Sequence, residues 1–359
     1  MRASRKASLL MASSLAITPL SVARHGALGA GDANHILIAG GLVDTGFPVA
    51  REASVDTVDC YDTALLRTVI TALSEKLADH ACAGSAAFKV FGGGRVWGHT
   101  ILGGNRIQVL TLSAAVNAYN AALTRSIPTA LSAARYGLAA CSNGAQLVFA
   151  GGRTESLSAV VDGYSDALVR STPSALALAR MQPGAASNGT HMIFAGGLKS
   201  AGGELSPAAN VDAYTAAFTR LAPAALTAPR HKAAAARVGN CALFAGGVDA
   251  PHADSVEAYD SALTHTVLAA GLSTARNPAQ AVSAGGYALF GGIAGDGTVD
   301  AFDGTLTRHR VPGMFLPRNA YAGAAHGKYM LLGGGLTEEE AYSAAVDAYN
   351  LNLEHFATA

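Results

Sequence analysis

The chain is short of charge. Of its 359 residues only 14% are Asp, Glu, Lys or Arg, and Lys+Arg equals Asp+Glu at 25 each. With no basic tract, the face that a nucleic-acid binder presents to phosphates is missing, which excludes that class. A basic amphipathic stretch for a membrane surface is missing too. No uncharged apolar run is long enough to read as a transmembrane helix, so no membrane span is expected. There are four cysteines: Cys82, Cys141 and Cys241 stand among small residues, and Cys60 stands in "VDCYD" where other copies of the phrase carry Ala or Gly. None stands in a CxxC or Cys/His spacing, so they read as small buried thiols rather than disulfides or metal ligands. GxSxG, HExxH and P-loop patterns are absent, and "GGGRVWG" at 92–98 lacks the helix a phosphate cradle needs. No cofactor or metal is expected.

What the chain has in quantity is glycine, 41 residues, together with alanine, and a phrase that recurs. "VDAYTAAFTR" at 211–220 returns as "VEAYDSALTH" at 256–265, and the same ten-residue pattern starts at Val58, Val116, Val161, Val211, Val256, Val299 and Val346. Its aromatic is Tyr61, Tyr119, Tyr164, Tyr214, Tyr259, Phe302 and Tyr349. Ahead of each copy stands an apolar run closed by paired glycines, such as "ILIAGG", "LVFAGG" and "ALFAGG". Ahead of that run stands a cation: Arg24, Lys76, Arg135, Arg180, Arg230, Arg276 or Arg318.

Each phrase has a structural meaning. The segment after the cation and the apolar run flank a Gly/Asn turn, as at Asn143-Gly144, and form a β-hairpin. The apolar run is a strand buried on both faces. Its closing glycines permit positive φ and close backbone approach. "VDAY" alternates, with Val and Ala on one face and Asp and Tyr on the other. "LTR" starts a fourth strand. Seven such units with a period of 43 to 58 residues predict an all-β, seven-bladed propeller of four antiparallel strands per blade, since a closed ring leaves no sheet edge bare. The expected domain spans 15–359, with 1–14 an N-terminal extension. "MRASRKASLLMASSLAITPLSVARHG" also resembles a secretory signal ending near Ala23, but "PLSVARHG" matches the repeat sequence "ALSAARYG" at 130–137, which is the preferred reading. Either terminus could complete the last blade.

Paired glycines followed by "VDAYD" resemble the kelch repeat, and more narrowly the kelch-like propellers of bacteria and bacteriophages described as attractin- or muskelin-like. The resemblance implies a galactose oxidase-like propeller and a cytoplasmic or phage-particle setting, or a secreted one if residues 1–23 are a signal. Animal kelch repeats place a Trp shortly after the Tyr. Here that slot holds Leu65, Leu123, Leu168, Phe218, Leu263, Leu306 and Leu353, which weakens any carry-over of function from the animal proteins. The copper oxidases built on such blades need a Tyr/His/Cys ligand set that the cysteines do not supply.

Packing explains where repeats agree, so function is sought where they differ. From cation to first paired glycine the distance is 15 or 16 residues, while from that glycine to the next Val it runs from 8 to 24. One loop class therefore varies, and strand alternation puts it at the same end of the ring as the cations. The cations and the repeated acids, Asp59, Asp162, Asp212, Glu257, Asp300 and Asp347, are expected to hold the blades, with Asn117 breaking the acid series. The ligand candidates are Arg95, Trp97, His99, Asn105 and Arg106 in the longest loop, where the only Trp stands, with Phe47 and Arg51 from the neighbouring loop. The expected function is non-enzymatic recognition of a protein or glycan partner, by a monomer or a part of a larger assembly. The alternatives are a sugar-acting enzyme of the N-acetylneuraminate epimerase type and a purely structural repeat.

Overall fold

The computed structural model describes residues 17–46, 52–102, 105–248, 253–276, 280–292 and 297–358. All regular elements among them are strands. No helix there is long and apolar enough to cross a membrane. Seven antiparallel sheets of four strands stand in a circle, so the protein is a seven-bladed β-propeller. The first blade orders its strands from the axis outward as Leu28–Gly31, Ile36–Ala39, Val58–Tyr61 and Arg67–Val69. The innermost strands of the others are Ala81–Gly84, Ala139–Ser142, Gly184–Ser187, Ala234–Val238, Ala281–Ala284 and Ala322–Ala325. Each touches the next around the axis, and the last touches the first.

This convergence explains the alanine and glycine. Seven strands meeting at one axis leave no room for large side chains. A Cβ on Gly31 would run into the Ala325 carbonyl. The second strands are buried, Leu147–Ala150 along its whole length and Phe88–Gly92, Tyr287–Gly291 and Tyr329–Gly333 in all but their first residue, as the apolar runs predict. Their closing glycines take positive φ, 64° at Gly40 and 101° at Gly41.

The "VDAY" alternation has a clear physical purpose. Val116 and Ala118 pack toward the third blade, with Phe149 and Tyr164. Tyr119 packs toward the first, with Val58 and Leu73. The acid and the tyrosine together grip the linker that enters the blade. In the third blade, Ser132 N donates to Asp162 at 3.0 Å and the Tyr164 hydroxyl donates to the Thr129 carbonyl at 2.8 Å. Burial raises the pKa of these tyrosines well above that of the ordinary phenol, so the hydroxyls stay protonated donors. Leu65, Leu123, Leu168, Phe218, Leu263, Leu306 and Leu353, in the slot where a Trp was looked for, turn the chain at φ of 58–63°.

Among the described residues, no terminus donates a strand across the ring. The seventh blade takes all four strands from its own stretch, ending with His355–Ala357. The closing contact is a linker. Leu20 N donates to Ala344 O and Arg24 N to Ser343 O, as Leu131 N does to Ala114 O and Arg135 N to Ser113 O elsewhere. Residues from Ile17 onward thus lie between the seventh and first blades, where Ile17 and Leu20 share a core with Leu331 and Val346.

Candidate functional site

Two residues after each cation slot the described chain enters the left-handed region, at Gly26, Asp79, Gly137, Gln182, Lys232 and Ala320. These residues ring one mouth of the central channel. Backbone hydrogen bonds run between them from blade to blade: Gly137 N to Asp79 O, Gln182 N to Gly137 O, Lys232 N to Gln182 O and Gly26 N to Ala320 O. The residue after each cation pairs with the residue after the glycines, as in His25↔Leu42, Ala78↔Arg95 and His231↔Val248. The variable loops and the cation slots therefore share this face.

The cations themselves are not available to a ligand. Arg24, Arg135, Arg180, Arg230, Arg276 and Arg318 are buried, and each pairs with the acid of its own blade, at 2.5–2.9 Å. A second side chain eight residues past the acid closes the other side. It is Arg67, Arg170, Arg220 or Arg308, or else the imidazole of His265 or His355. Each carboxylate is thus clamped between a buried cation and a nitrogen-bearing side chain at the blade's outer strand.

The second blade departs from this scheme, and its cation slot is not filled by Lys76. Lys76 is exposed; the slot belongs to Leu77, which is fully buried. The left-handed pair in "FGGGR" is Gly93-Gly94, while Gly92 ends the strand opposite Val116. Counting back by the usual sixteen from Gly93 reaches Leu77. The acid is lost with the cation: Asn117 replaces it and keeps only the linker bond, from Ser74 N at 2.8 Å. A cross-blade pair, Lys89 with Asp32, is found instead.

The longest loop is a two-stranded hairpin, Arg95–Leu102 with Asn105–Leu112. Shorter hairpins rise from the first blade, Leu42–Asp44 with Glu52–Ser54, and the fourth, Leu198–Ala201 with Glu204–Pro207. Arg95 does not reach out from its hairpin. Its guanidinium lies 4.5 Å from the Trp97 ring centre and 4.9 Å from that of Tyr136, and it is paired with Asp79. Trp97 is half-buried beneath it, and Trp97 N donates to Ser54 Oγ at 2.8 Å. The expected open stacking surface is therefore covered by its own arginine. His99 is exposed farther along the strand. Asn105 and Arg106 open the return strand opposite Leu102 and Ile101. Phe47 and Arg51 lie outside the described residues.

Two groupings escaped the sequence reading. At the junction of the seventh and first blades, Glu52 Oε1 accepts from the Tyr342 hydroxyl at 2.7 Å and meets His25 Nε2 at 3.0 Å. Burial works against ionisation of Glu52, but the bonds from Tyr342 and His25 hold its carboxyl below the usual range.

The second grouping is the channel mouth, a cavity of about 460 Å³. Blades four to seven contribute Gln182, Lys232, Gln280 and Asn319 to its wall, the first and third contribute Leu28 and Leu138, and the second contributes Asp79 and His80. Among the described residues no side-chain hydrogen bond or ion pair engages those four polar groups. Deeper in, the wall turns to Ala and Gly, with the Cys82 thiol held up to about 12 by burial and bonded to the Gly29 carbonyl. Gln182 and Lys232 stand two residues after their cations in the sequence, but their loop position gave no reason to separate them from packing. The four cysteines are free thiols, and no group of three or more His, Cys, Asp or Glu that could hold a metal occurs among the described residues.

No protein-family model matches the chain, and no curated protein matches it in sequence. Solved structures do match in shape. One of them, described as "Structure of YjhT", superposes with a TM-score of 0.54 at 10% identity, over 96% of this chain and 99% of the other. At that identity the likeness is one of fold.

Proposed function

We propose that the protein is a recognition module that holds a glycan on its loop face, with one sugar unit in the channel mouth. The observation that carries this reading is the uncommitted arc of Gln182, Lys232, Gln280 and Asn319 facing the apolar side chains of Leu28 and Leu138, which flank His80 and an Asp79 already paired with Arg95. A pyranose ring has the same division, with hydroxyls around its edge and a carbon-bound face. A few convergent polar groups in a concave apolar site of about 300–1,000 Å³ is the usual form of a small-ligand pocket. Residues held at positive φ without being glycine also favour a function, because the left-handed region costs an ordinary residue about 1–2 kcal/mol. Gln182 and Lys232 stand at φ of 54° and 53° in a ring where glycine fills two other positions.

The test is a screen of the purified chain against glycans and host proteins, repeated with Gln182→Gly/Lys232→Gly. Glycine removes both side chains and suits their backbone, so the double variant should lose the glycan signal while melting no lower than the wild type. An undiminished signal would remove the mouth from the account.

The enzymatic reading, a sugar epimerase, has one observation in its favour: the His25–Glu52–Tyr342 cluster combines a carboxylate, an imidazole and a phenol. Against it, the inner channel wall is mostly Ala and Gly, and Asp79 is engaged by Arg95. Anomer exchange of a bound sugar, followed by NMR with the wild type and Glu52→Gln, separates the two readings.

A further inference from the structure

The hairpin on the second blade differs from the other two in a way that binding at the channel mouth does not explain. The first-blade hairpin carries Asp44 and Glu52, and the fourth-blade one carries Lys199, Glu204 and Pro207. Charges and proline are the devices that stop an exposed strand from pairing with another chain. The return strand of the second-blade hairpin has neither from Ile107 to Leu112, "IQVLTL", and no glycine. It is exposed, with Ile107 and Val109 at 39% and Leu110 at 49%, beside Ile101 at 74% and Leu102 at 67%. An uncharged β-prone segment of this kind is a template for strand addition.

The two edges of the hairpin are not equivalent. The outgoing strand is covered near its base by the first blade, where the Ser54 hydroxyl donates to Arg95 O at 3.4 Å and accepts from Trp97 N at 2.8 Å. Among the described residues, the return strand pairs with the outgoing strand and with no other. Its eight residues give an open edge about 27 Å long at roughly 3.4 Å per residue.

We infer that this edge pairs with the same edge of a second copy, making a two-fold dimer joined by a four-stranded sheet. The sequence is compatible with itself in that geometry. With the two-fold axis at Val109, Val109 meets Val109, Gln108 meets Leu110, Ile107 meets Thr111 and Arg106 meets Leu112. No like charges face each other, and β-branched residues meet at the centre and two steps from it. An isologous contact uses up the open edge, and the blade-covered edge of each hairpin limits growth beyond a dimer. A strand from an unrelated protein could add in the same manner, but the self-matching register favours a second copy.

The experiment is sedimentation of the full chain across a concentration series, with Val109→Lys and Val109→Glu made separately and then mixed. The wild type should dimerise at about 10 µM or below, a strength ordinary for a specific contact. Each variant alone should be monomeric at that concentration, with the circular dichroism and melting temperature of the wild type. The mixture should recover the dimer, because an ammonium from one copy would then face a carboxylate from the other across the two-fold axis. Amides of Ile107–Leu112 should exchange more slowly in the dimer than in either variant. A wild type that stays monomeric, variants that dimerise as before, or a mixture that fails to recover would each overturn the inference.

Discussion

His80 is buried in the gap between the first and second blades, its ring 6.0 Å from that of Phe91, and neither nitrogen has a hydrogen-bond partner among the described residues. Its third-blade counterpart is Leu138, which packs in the next gap. Burial alone lowers the imidazole from 6.5 to about 4. The unfolded chain therefore takes up the proton first. The neutral-state stability is complete above about pH 6.5 and is lost as pH falls toward 4, by about 3 kcal/mol. His80→Leu should raise the melting temperature and flatten its dependence on pH across that window; thermal melts at pH 7 and pH 4.5 check both. The clamped acids act in the opposite sense when removed. Asp212→Ala would strand the buried Arg180, which lies 2.8 Å away, and should cost about 3–5 kcal/mol in a denaturant titration. A further check concerns the backbone. Ala320 holds φ at 50° with no polar group to offer, so Ala320→Gly should stabilise by about 1 kcal/mol or more.

At the scale of elements, Arg95 ties the long hairpin to three surroundings at once: Trp97 of the same strand, Tyr136 at the entry to the third blade, and Asp79 at the mouth. Trp97 is the only tryptophan, so its fluorescence reports this stack without ambiguity. Arg95→Ala should shift the emission to longer wavelength as water reaches the indole, while the far-ultraviolet spectrum stays that of the wild type. The stack also marks where reading the sequence stops. Strand order and the two faces of "VDAY" were legible because period-two alternation and the glycine pairs state them locally. The misplacement at Lys76 has a local cause as well: three consecutive glycines allow two registers, and the loss of the acid at Asn117 was the available signal for Leu77. Contacts among Arg95, Asp79 and Tyr136, or among His25, Glu52 and Tyr342, join residues brought together by ring closure, and no spacing along the chain encodes them.

At the scale of the molecule, the ring is held by seven equivalent grips on seven linkers. Each linker buries an apolar side chain just before the residue whose N–H meets the blade's acid or Asn117: Leu20, Leu73, Leu131, Leu176, Leu226, Leu272 and Met314. Leu20→Ala and Leu131→Ala should therefore cost similar amounts, about 2–5 kcal/mol each. A negligible cost at Leu20 beside a full cost at Leu131 would mean that the seventh and first blades are not locked in solution. The closed ring is also what gathers Gln182, Lys232, Gln280 and Asn319 from four blades around one opening, while the opposite opening is lined mostly by Ala and Gly, with Arg237 and the serines Ser142, Ser187 and Ser283. The most direct measurement is a crystal structure of the protein with the first glycan that scores in the screen. The account predicts a sugar ring in the mouth, hydrogen-bonded to Gln182 and Lys232 and resting on Leu28 and Leu138. Density at the Arg237 opening, or on the blade sides with the mouth empty, would contradict it.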